Sequence, residues 1–442
     1  MGRILILAGI ALALAAGGVA LAADGKLTPR QCIEDTGGPE DCGPSAAGLA
    51  GAISIVLSPD GRFAYVAGFE DDAIVQLRRN RRTGKLAAAG CTADESVGMC
   101  DRTVDGLEGV IDLGMSENGR HLYSVSNQDA TLLHFRRNPR SGRLRLANCV
   151  DSAGLAPVDN VCEPSADGMR SPAGMTLGPE GRSLYIVGNV YDSMVRFALN
   201  RSGKPREREC FEDVPADAFD ECPRDVEGLD GATDVVVSPN GRSLHVAAFT
   251  EEAISSFRRN RRTGALGYRG CVEDNDTSSA ECGRRTNALR NVSTLGASPD
   301  GRFLYAGSTN EATIASFALT RRGALKPRGC VEGILVPESC GTIANGITNP
   351  SGFAFDSRGR SLYVAGAGHD SVAWFGRQGR AAELVERPCI QDDDFTTPFD
   401  HECPRATAGL DQVSDLAISP DDRWLYATAA GDDTVVTFRR AR

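Results

Sequence analysis

Lysine is nearly absent. Lys26, Lys85, Lys204 and Lys326 stand alone among 48 basic residues, and the rest are arginine. Histidine is scarce, at five. No stretch beyond residue 23 sustains an apolar period of 3.6, which points away from helical folds. The patterns Gly-x-Ser-x-Gly, His-Glu-x-x-His and Gly-x-x-x-x-Gly-Lys are missing, so no serine elbow, zinc helix or phosphate loop can be assigned. An Asp-x-Asp-x-Asp-Gly calcium loop is missing as well. The net charge of −11 argues against a nucleic-acid partner, because phosphates repel an acidic protein.

The N-terminus has the build of an export signal. Met1-Gly2-Arg3 is basic, Ile4 to Ala23 carries no charge, and Ala20-Leu21-Ala22 is a small-x-small cleavage site. A signal peptide over 1–22, cut after Ala22, is expected, leaving one domain over 23–442. An uncharged run of this length also suits an uncleaved anchor, but its Ala/Gly richness and cleavage site favour removal. No cysteine ends the run, which argues against a lipoprotein. The mature chain is expected outside the cytoplasm (secreted, periplasmic or at the cell surface) and without a stable membrane span.

One turn recurs seven times: Ser58–Arg62, Ser116–Arg120, Gly178–Arg182, Ser238–Arg242, Ser298–Arg302, Asp356–Arg360 and Ser419–Arg423. Its spacing of roughly 60 residues marks a repeat architecture. Around it, each unit reads as four short strands, A to D. Ile53–Leu57, Phe63–Gly68, Ile74–Arg78 and Leu86–Cys91 are those of the first unit. Pro presets φ in the A–B turn and Gly permits positive φ. Gly25-Lys26-Leu27 followed by Cys32 matches Gly84-Lys85-Leu86 followed by Cys91, so the mature chain begins with a strand D. It ends on a strand C, Thr434–Arg439. The fold class expected is all-β: a seven-bladed β-propeller of four-stranded blades, with the N-terminal strand D completing the sheet of the C-terminal strands A–C. Such closure leaves no unprotected edge.

The 14 cysteines follow the repeat, one pair per unit between strand D and the next strand A. Repeat symmetry therefore pairs Cys32 with Cys42, Cys91 with Cys100, Cys149 with Cys162, and Cys210 with Cys222. It likewise pairs Cys271 with Cys282, Cys330 with Cys340, and Cys389 with Cys403. Zinc is the rival reading, but the spacing is too long for a knuckle and most loops offer no histidine.

In a propeller the D–A and B–C loops share one face, and here both sets are acidic. Glu70-Asp71-Asp72, Glu251-Glu252, Asp392-Asp393-Asp394 and Asp432-Asp433 are examples, and Asp217, Asp220, Glu221, Asp400 and Glu402 add to them. The opposite turns carry Arg78-Arg79 with Arg81-Arg82, Arg136-Arg137 with Arg140, and Arg258-Arg259 with Arg261-Arg262. Turn aspartates bonding their own backbone would explain the acidic face. A divalent cation such as calcium, or a basic partner, would use it.

Four residues before each repeated turn lie Ser54, Asp112, Gly174, Asp234, Thr294, Gly352 and Asp415. These belong to the innermost strands, at the mouth of the central channel. Asp112, Asp234 and Asp415 converging there, with Ser54 and Thr294, could hold a metal or act as acid and base. The alternative is that each Asp bonds neighbouring backbone N–H groups. His245 replaces the tyrosine found at Tyr65, Tyr123, Tyr185, Tyr305, Tyr363 and Tyr426 and reads as packing, as do His121 and His134. His369, beside Asp370 in a B–C loop, is a further ligand or base candidate, and His401 a weaker one.

The unit Ser298–Gly307, with its strand C at Ala312–Phe317, resembles the lactonase-type seven-bladed propellers, which are similar to YVTN surface-layer repeats. The resemblance spans nearly all of the mature chain. It implies the propeller fold and a family that includes 6-phosphogluconolactonases and a muconate-lactonizing branch. No catalytic residue of the family matches a position here, and a phosphorylated substrate would want Arg or Lys on the acidic ligand face. Two functions remain. One is a secreted, disulfide-stapled interaction protein that binds a protein or small molecule on its acidic face. The other is an extracytoplasmic hydrolase of a neutral lactone, with or without a metal at the channel mouth.

Overall fold

The computed structural model describes residues 25–40, 42–95, 98–153, 162–213, 222–277, 281–333, 340–377, 383–394 and 403–441. The expected signal segment 1–22 and its cleavage point after Ala22 lie outside these residues, as do Asp217, Asp220, Glu221, Asp400, His401 and Glu402. All described regular structure is β, in seven sheets. No described helix is long and apolar enough to cross a membrane.

Blade 1 consists of Ala52–Leu57 (A), Phe63–Gly68 (B), Ala73–Arg79 (C) and Leu86–Ala93 (D), each antiparallel to the next. Blades 2 to 6 begin with strands A at Val110–Met115, Pro172–Leu177, Ala232–Val237, Val292–Ala297 and Pro350–Phe355. Blade 7 takes Val413–Ile418, Trp424–Ala429 and Thr434–Arg440 from the C-terminus, and Leu27–Glu34 from the N-terminus as its strand D. Leu27 pairs with Arg440 and Glu34 with Thr434, so the two ends of the chain share one sheet.

The repeated turn builds itself from its own side chains. The Ser58 hydroxyl donates to Asp60 (2.6 Å) and accepts from the Phe63 N–H (3.0 Å), while Asp60 accepts from the Arg62 N–H. Gly61, at φ 64°, supplies the left-handed step that closes it. Strand B of blade 1 is buried along its whole length. The large hydrophobic clusters run from blade to blade rather than within one sheet: Tyr123 and Val125 of blade 2, for instance, pack with Ile186 and Phe197 of blade 3.

All seven disulfides form as the repeat symmetry requires. Cys32 is bonded to Cys42, Cys91 to Cys100, Cys149 to Cys162, and Cys210 to Cys222. Cys271 is bonded to Cys282, Cys330 to Cys340, and Cys389 to Cys403. Each closes a sequence separation of 9 to 14 residues, and no cysteine is left free. Cys42, Cys100, Cys162, Cys222, Cys282, Cys340 and Cys403 are thus structural staples of the D–A loops, not ligands of a metal.

The four-stranded blade needs one correction. In blades 2, 3, 4 and 5 a two-residue fifth strand lies parallel to strand D: Ser165–Ala166, Asp225–Val226, Arg285–Thr286 and Ile343–Ala344. Single parallel bridges take its place in the other blades, between Glu34 and Ser45, Ala93 and Thr103, and Gln391 and Ala406. The physical reason is the disulfide, which folds the D–A loop back alongside strand D and offers it a free edge.

Candidate functional site

Every strand A carries an irregularity at the same place. The A–B register shifts between Ala52 and Ser54, Val110 and Asp112, Pro172 and Gly174, Ala232 and Asp234, Val292 and Thr294, Pro350 and Gly352, and Val413 and Asp415. A bulge re-aims the side chain beside it. Here it turns the seven ring residues into a cavity of about 650 Å³ at the channel mouth. Ser293, Ser351, Ser414 and Thr233, the extra residues of four bulges, also line it, as do Asn349 and Gln412. The sequence reading missed these six; their signal is the polar residue that precedes a ring position or immediately precedes strand A. No Lys, Arg or His lines the cavity among the described residues.

The three carboxylates are built in rather than left free. Asp112 accepts from its neighbour Leu113 N–H through Oδ1 (2.7 Å) and from Met175 N–H of blade 3 through Oδ2 (2.8 Å). Asp234 does the same with Val235 (2.6 Å) and Leu295 of blade 5 (2.7 Å). Asp415 does so with Leu416 (2.7 Å) and Ile55 of blade 1 (2.9 Å). All six oxygens thus hold a backbone N–H, and each Asp ties its blade to the next. The Ser54 hydroxyl donates to Asp112 (3.1 Å), and the Thr294 hydroxyl lies 3.5 Å from Asp234.

Burial nevertheless dominates their titration. It pushes Asp112 up to about 7 against the pull of the Met175 N–H, with Asp415 and Asp234 adding repulsion. Asp415 is pushed up to about 6, again chiefly by burial, and Asp234 is raised for the same reason. A carboxyl near neutrality in a cavity suits proton transfer at the pH where water must be activated.

A metal shared by the three is not what the geometry offers. Among the described residues, the acids whose ligand atoms come within 4.8 Å of one another lie elsewhere: Asp213, Glu251 and Glu281, and Glu251, Glu273 and Cys282. The sulfur of Cys282 is in a disulfide. Asp112, Asp234 and Asp415 sit on blades 2, 4 and 7, and the three do not form such a group. His369 does not join them. It is buried in its B–C loop with Nδ1 2.6 Å from the Thr348 hydroxyl.

His245, His121 and His134 sit among neighbouring side chains of their own sheets, away from the channel. His245 is fully buried between the Ser256 and Ser243 hydroxyls, and burial pushes it down to about 3. His134, between His121 and Asn148, is pushed down to about 4 by burial and by His121.

Much of the acidic face is also committed to backbone. Asp72, Asp192, Asp370 and Asp433 accept from the N–H of Gly109, Gly231, Gln412 and Gly51 in the following blades (2.7–2.8 Å). Asp35, Asp94, Asp213, Asp274 and Asp392 each accept from the N–H of the leucine in their own D–A loop.

Comparison with known proteins agrees with this architecture. The family model "Lactonase, 7-bladed beta-propeller" matches residues 112–270, and the WD domain, G-beta repeat model matches 403–438. A 6-phosphogluconolactonase of Enterobacter sp. (strain 638) is 21% identical over 333 residues, covering 75% of this chain and 83% of its own. The periplasmic gluconolactonase PpgL of Pseudomonas aeruginosa superposes with a TM-score of 0.55 at 17% identity, over 76% of this chain and 85% of its own. The hydrazine synthase of Kuenenia stuttgartiensis gives 0.56 at 14% identity, over 90% and 97%, so the fold alone does not choose a chemistry. The blade architecture makes the chain a seven-bladed β-propeller, and the family model over residues 112–270 and these relatives make it similar to the lactonase-type propellers.

Proposed function

We propose that the protein hydrolyses a neutral sugar lactone at the channel mouth, outside the cytoplasm. The observation that carries this is Asp112: a carboxyl pushed up to about 7, facing a cavity of about 650 Å³ that no described cation lines. Three carboxylates and no Lys or Arg disfavour a phosphorylated substrate and suit one rich in hydroxyls. Seven disulfides fit an oxidising compartment, as the N-terminal segment does. In this reading ionised Asp112 takes a proton from water as that water attacks the lactone carbonyl. The ring C–O bond then breaks and the leaving alkoxide recovers a proton, giving the open hydroxy acid. The hydroxyls of Ser293, Ser351 and Ser414 orient the sugar. A divalent cation is not required, because each carboxylate oxygen already accepts an N–H.

The test is proton release from a panel of neutral aldonolactones by oxidised protein, in calcium and in chelator. Turnover should rise with pH through about 7 as Asp112 ionises. Asp112→Asn should lower kcat by about 100-fold or more, with an intact fold checked by melting. A folded protein that turns over none of the panel defeats the hydrolase.

The second reading, a basic partner held on the acidic face, is favoured by one cluster. Glu40 is raised by burial and then by Asp432, Asp394 and Asp393, which gather beside it at the ring seam. Association that weakens steeply with salt, with no lactone turnover, would favour it.

A further inference from the structure

The opposite face carries a second cavity, of about 930 Å³, where blades 7 and 1 meet. Four separate segments line it. Thr28 and Arg30 come from the N-terminal strand, Arg82, Thr83 and Lys85 from the C–D turn of blade 1, Arg423 and Trp424 from the start of strand B, and Arg439 to Ala441 from the C-terminus. Arg440 is already engaged, with Tyr363 and the Asp422 carbonyl. Arg30, Arg82, Lys85, Arg423 and Arg439 are exposed, and no described carboxylate forms a contact ion pair with any of them. Asp421 feels the charge of Arg423 but faces Arg79 instead. Trp424 is only 5% exposed, and its indole N–H finds no acceptor among the described residues. A buried donor without an acceptor calls for an explanation.

We propose that this seam binds a small multivalent oxyanion of the phosphate or sulfate type. Cations from one turn alone would be a solvated surface. Here they come from both ends of the chain and from a third element, into one concavity that the ring of Trp424 helps to line. Guanidinium groups match the tetrahedral oxyanion in geometry as well as charge. The same position in blade 1 is Phe63, which has no donor, so the basic seam between blades 1 and 2 lacks the indole. Trp374 also keeps an indole N–H without an acceptor among the described residues, but it stacks on Tyr363 at 6.3 Å and does not line this seam. A bound anion would bridge the N-terminal strand to blade 1 and so stabilise the closure of the ring.

Pyrophosphate is the probe, added to the oxidised full-length protein and followed by calorimetry and by tryptophan fluorescence. The chain has two tryptophans, so Trp424→Phe isolates the signal of Trp374. Saturable heat, a fluorescence change and a raised melting temperature are expected. Arg82→Ala/Lys85→Ala, at exposed turn positions, should weaken binding by about tenfold or more. Trp424→Phe should abolish the fluorescence change while leaving measurable heat. Vesicles of phosphatidylglycerol distinguish the source. Capture that pyrophosphate displaces assigns a lipid headgroup, and binding of pyrophosphate without capture assigns a free anion. No saturable heat with pyrophosphate, or heat that the double variant leaves unchanged, overturns the proposal.

Discussion

Two kinds of seam hold this ring together. At five of the seven, an arginine ending strand C is buried against the blade before it. Arg137 shows the pattern. Its Nε donates to the Tyr65 hydroxyl (2.7 Å), its Nη1 to the Gly119 carbonyl (2.9 Å) and its Nη2 to Asp60 (3.3 Å). Arg79, Arg259, Arg377 and Arg440 pair likewise with Tyr426, Tyr185, Tyr305 and Tyr363. The seams between blades 2 and 3 and between blades 4 and 5 have Leu199 and Leu319 in that place. Those two also lack a B–C aspartate reaching the next strand A, and at both a channel aspartate spans the gap: Asp112 to Met175, and Asp234 to Leu295. The closing seam, between blades 7 and 1, has both devices, Arg79 and Asp415. The channel carboxylates therefore have a structural duty whatever chemistry they perform. A loss of activity on mutating one of them must be read beside its effect on stability.

The largest effect should come from cutting an arginine seam. Arg137→Ala strands the Gly119 carbonyl and removes the cation facing Asp60, for a loss of about 3 kcal/mol in denaturant unfolding with disulfides intact. A loss under about 1 kcal/mol would mean that apolar packing, not the arginine, holds these seams. Asp234→Ala, at the other kind of seam, leaves the Val235 and Leu295 N–H groups without their acceptor and should cost about 2 kcal/mol. That cost should be smaller at pH 8 than at pH 5, since the folded carboxyl is raised and the ionised form is the strained one.

The two devices also respond to opposite ends of the pH scale. Burial pushes Asp60 up, but the Ser58 hydroxyl, the Arg62 N–H and Arg137 outweigh it and hold the carboxyl below its usual value. A depressed carboxyl stabilises the fold above its unfolded pKa, and that contribution is lost as pH falls through the folded value. Asp421, facing Arg79, behaves alike. Asp112 and Asp415 are raised, to about 7 and about 6, so the fold is favoured below their unfolded values and penalised as pH rises through 6 to 7. Melting temperature should peak near pH 4, about the unfolded carboxyl value, and fall on both sides. Asp112→Asn should flatten the alkaline slope only, and Arg137→Ala the acid slope only. An alkaline slope unchanged in Asp112→Asn would remove the channel carboxyls as its cause.

Much of this was legible in the chain. The self-bonded turn at Ser58–Arg62 recurs because its hydrogen bonds are local, so seven copies fix seven blades. The cysteine pairs followed from the same period. Asp112, Asp234 and Asp415 could be placed at the channel mouth, but their six N–H bonds depend on the bulge and on the neighbouring blade, which no local pattern states. The same holds for the arginines. Arg79, Arg137 and Arg259 read as part of a basic surface, yet they are buried. A tyrosine one blade away, rather than anything nearby in sequence, decides that. The signal was present in one substitution: His245 replaces tyrosine in blade 4, and blade 5 is one of the two with leucine for arginine.

That substitution gives the smallest and most specific test. His245→Tyr/Leu319→Arg rebuilds the missing pair between blades 4 and 5, and Asn240→Asp supplies the carboxylate that Asp60 gives Arg137. Leu319→Arg alone should destabilise, because a buried guanidinium would lack its partners, whereas His245→Tyr alone should cost less, since Tyr123 at the other leucine seam bonds the Gly203 carbonyl (2.8 Å) without an arginine. The triple variant should recover to within about 1 kcal/mol of the wild type, with a coupling that double-mutant cycles can isolate. It should also make Asp234→Ala less costly, since the seam would then hold two devices, as the closing seam does. If the three changes add without coupling, the arginine and aspartate devices are not interchangeable. Asp234 would then sit at the channel mouth for a reason other than the missing arginine, which returns weight to its role in the cavity.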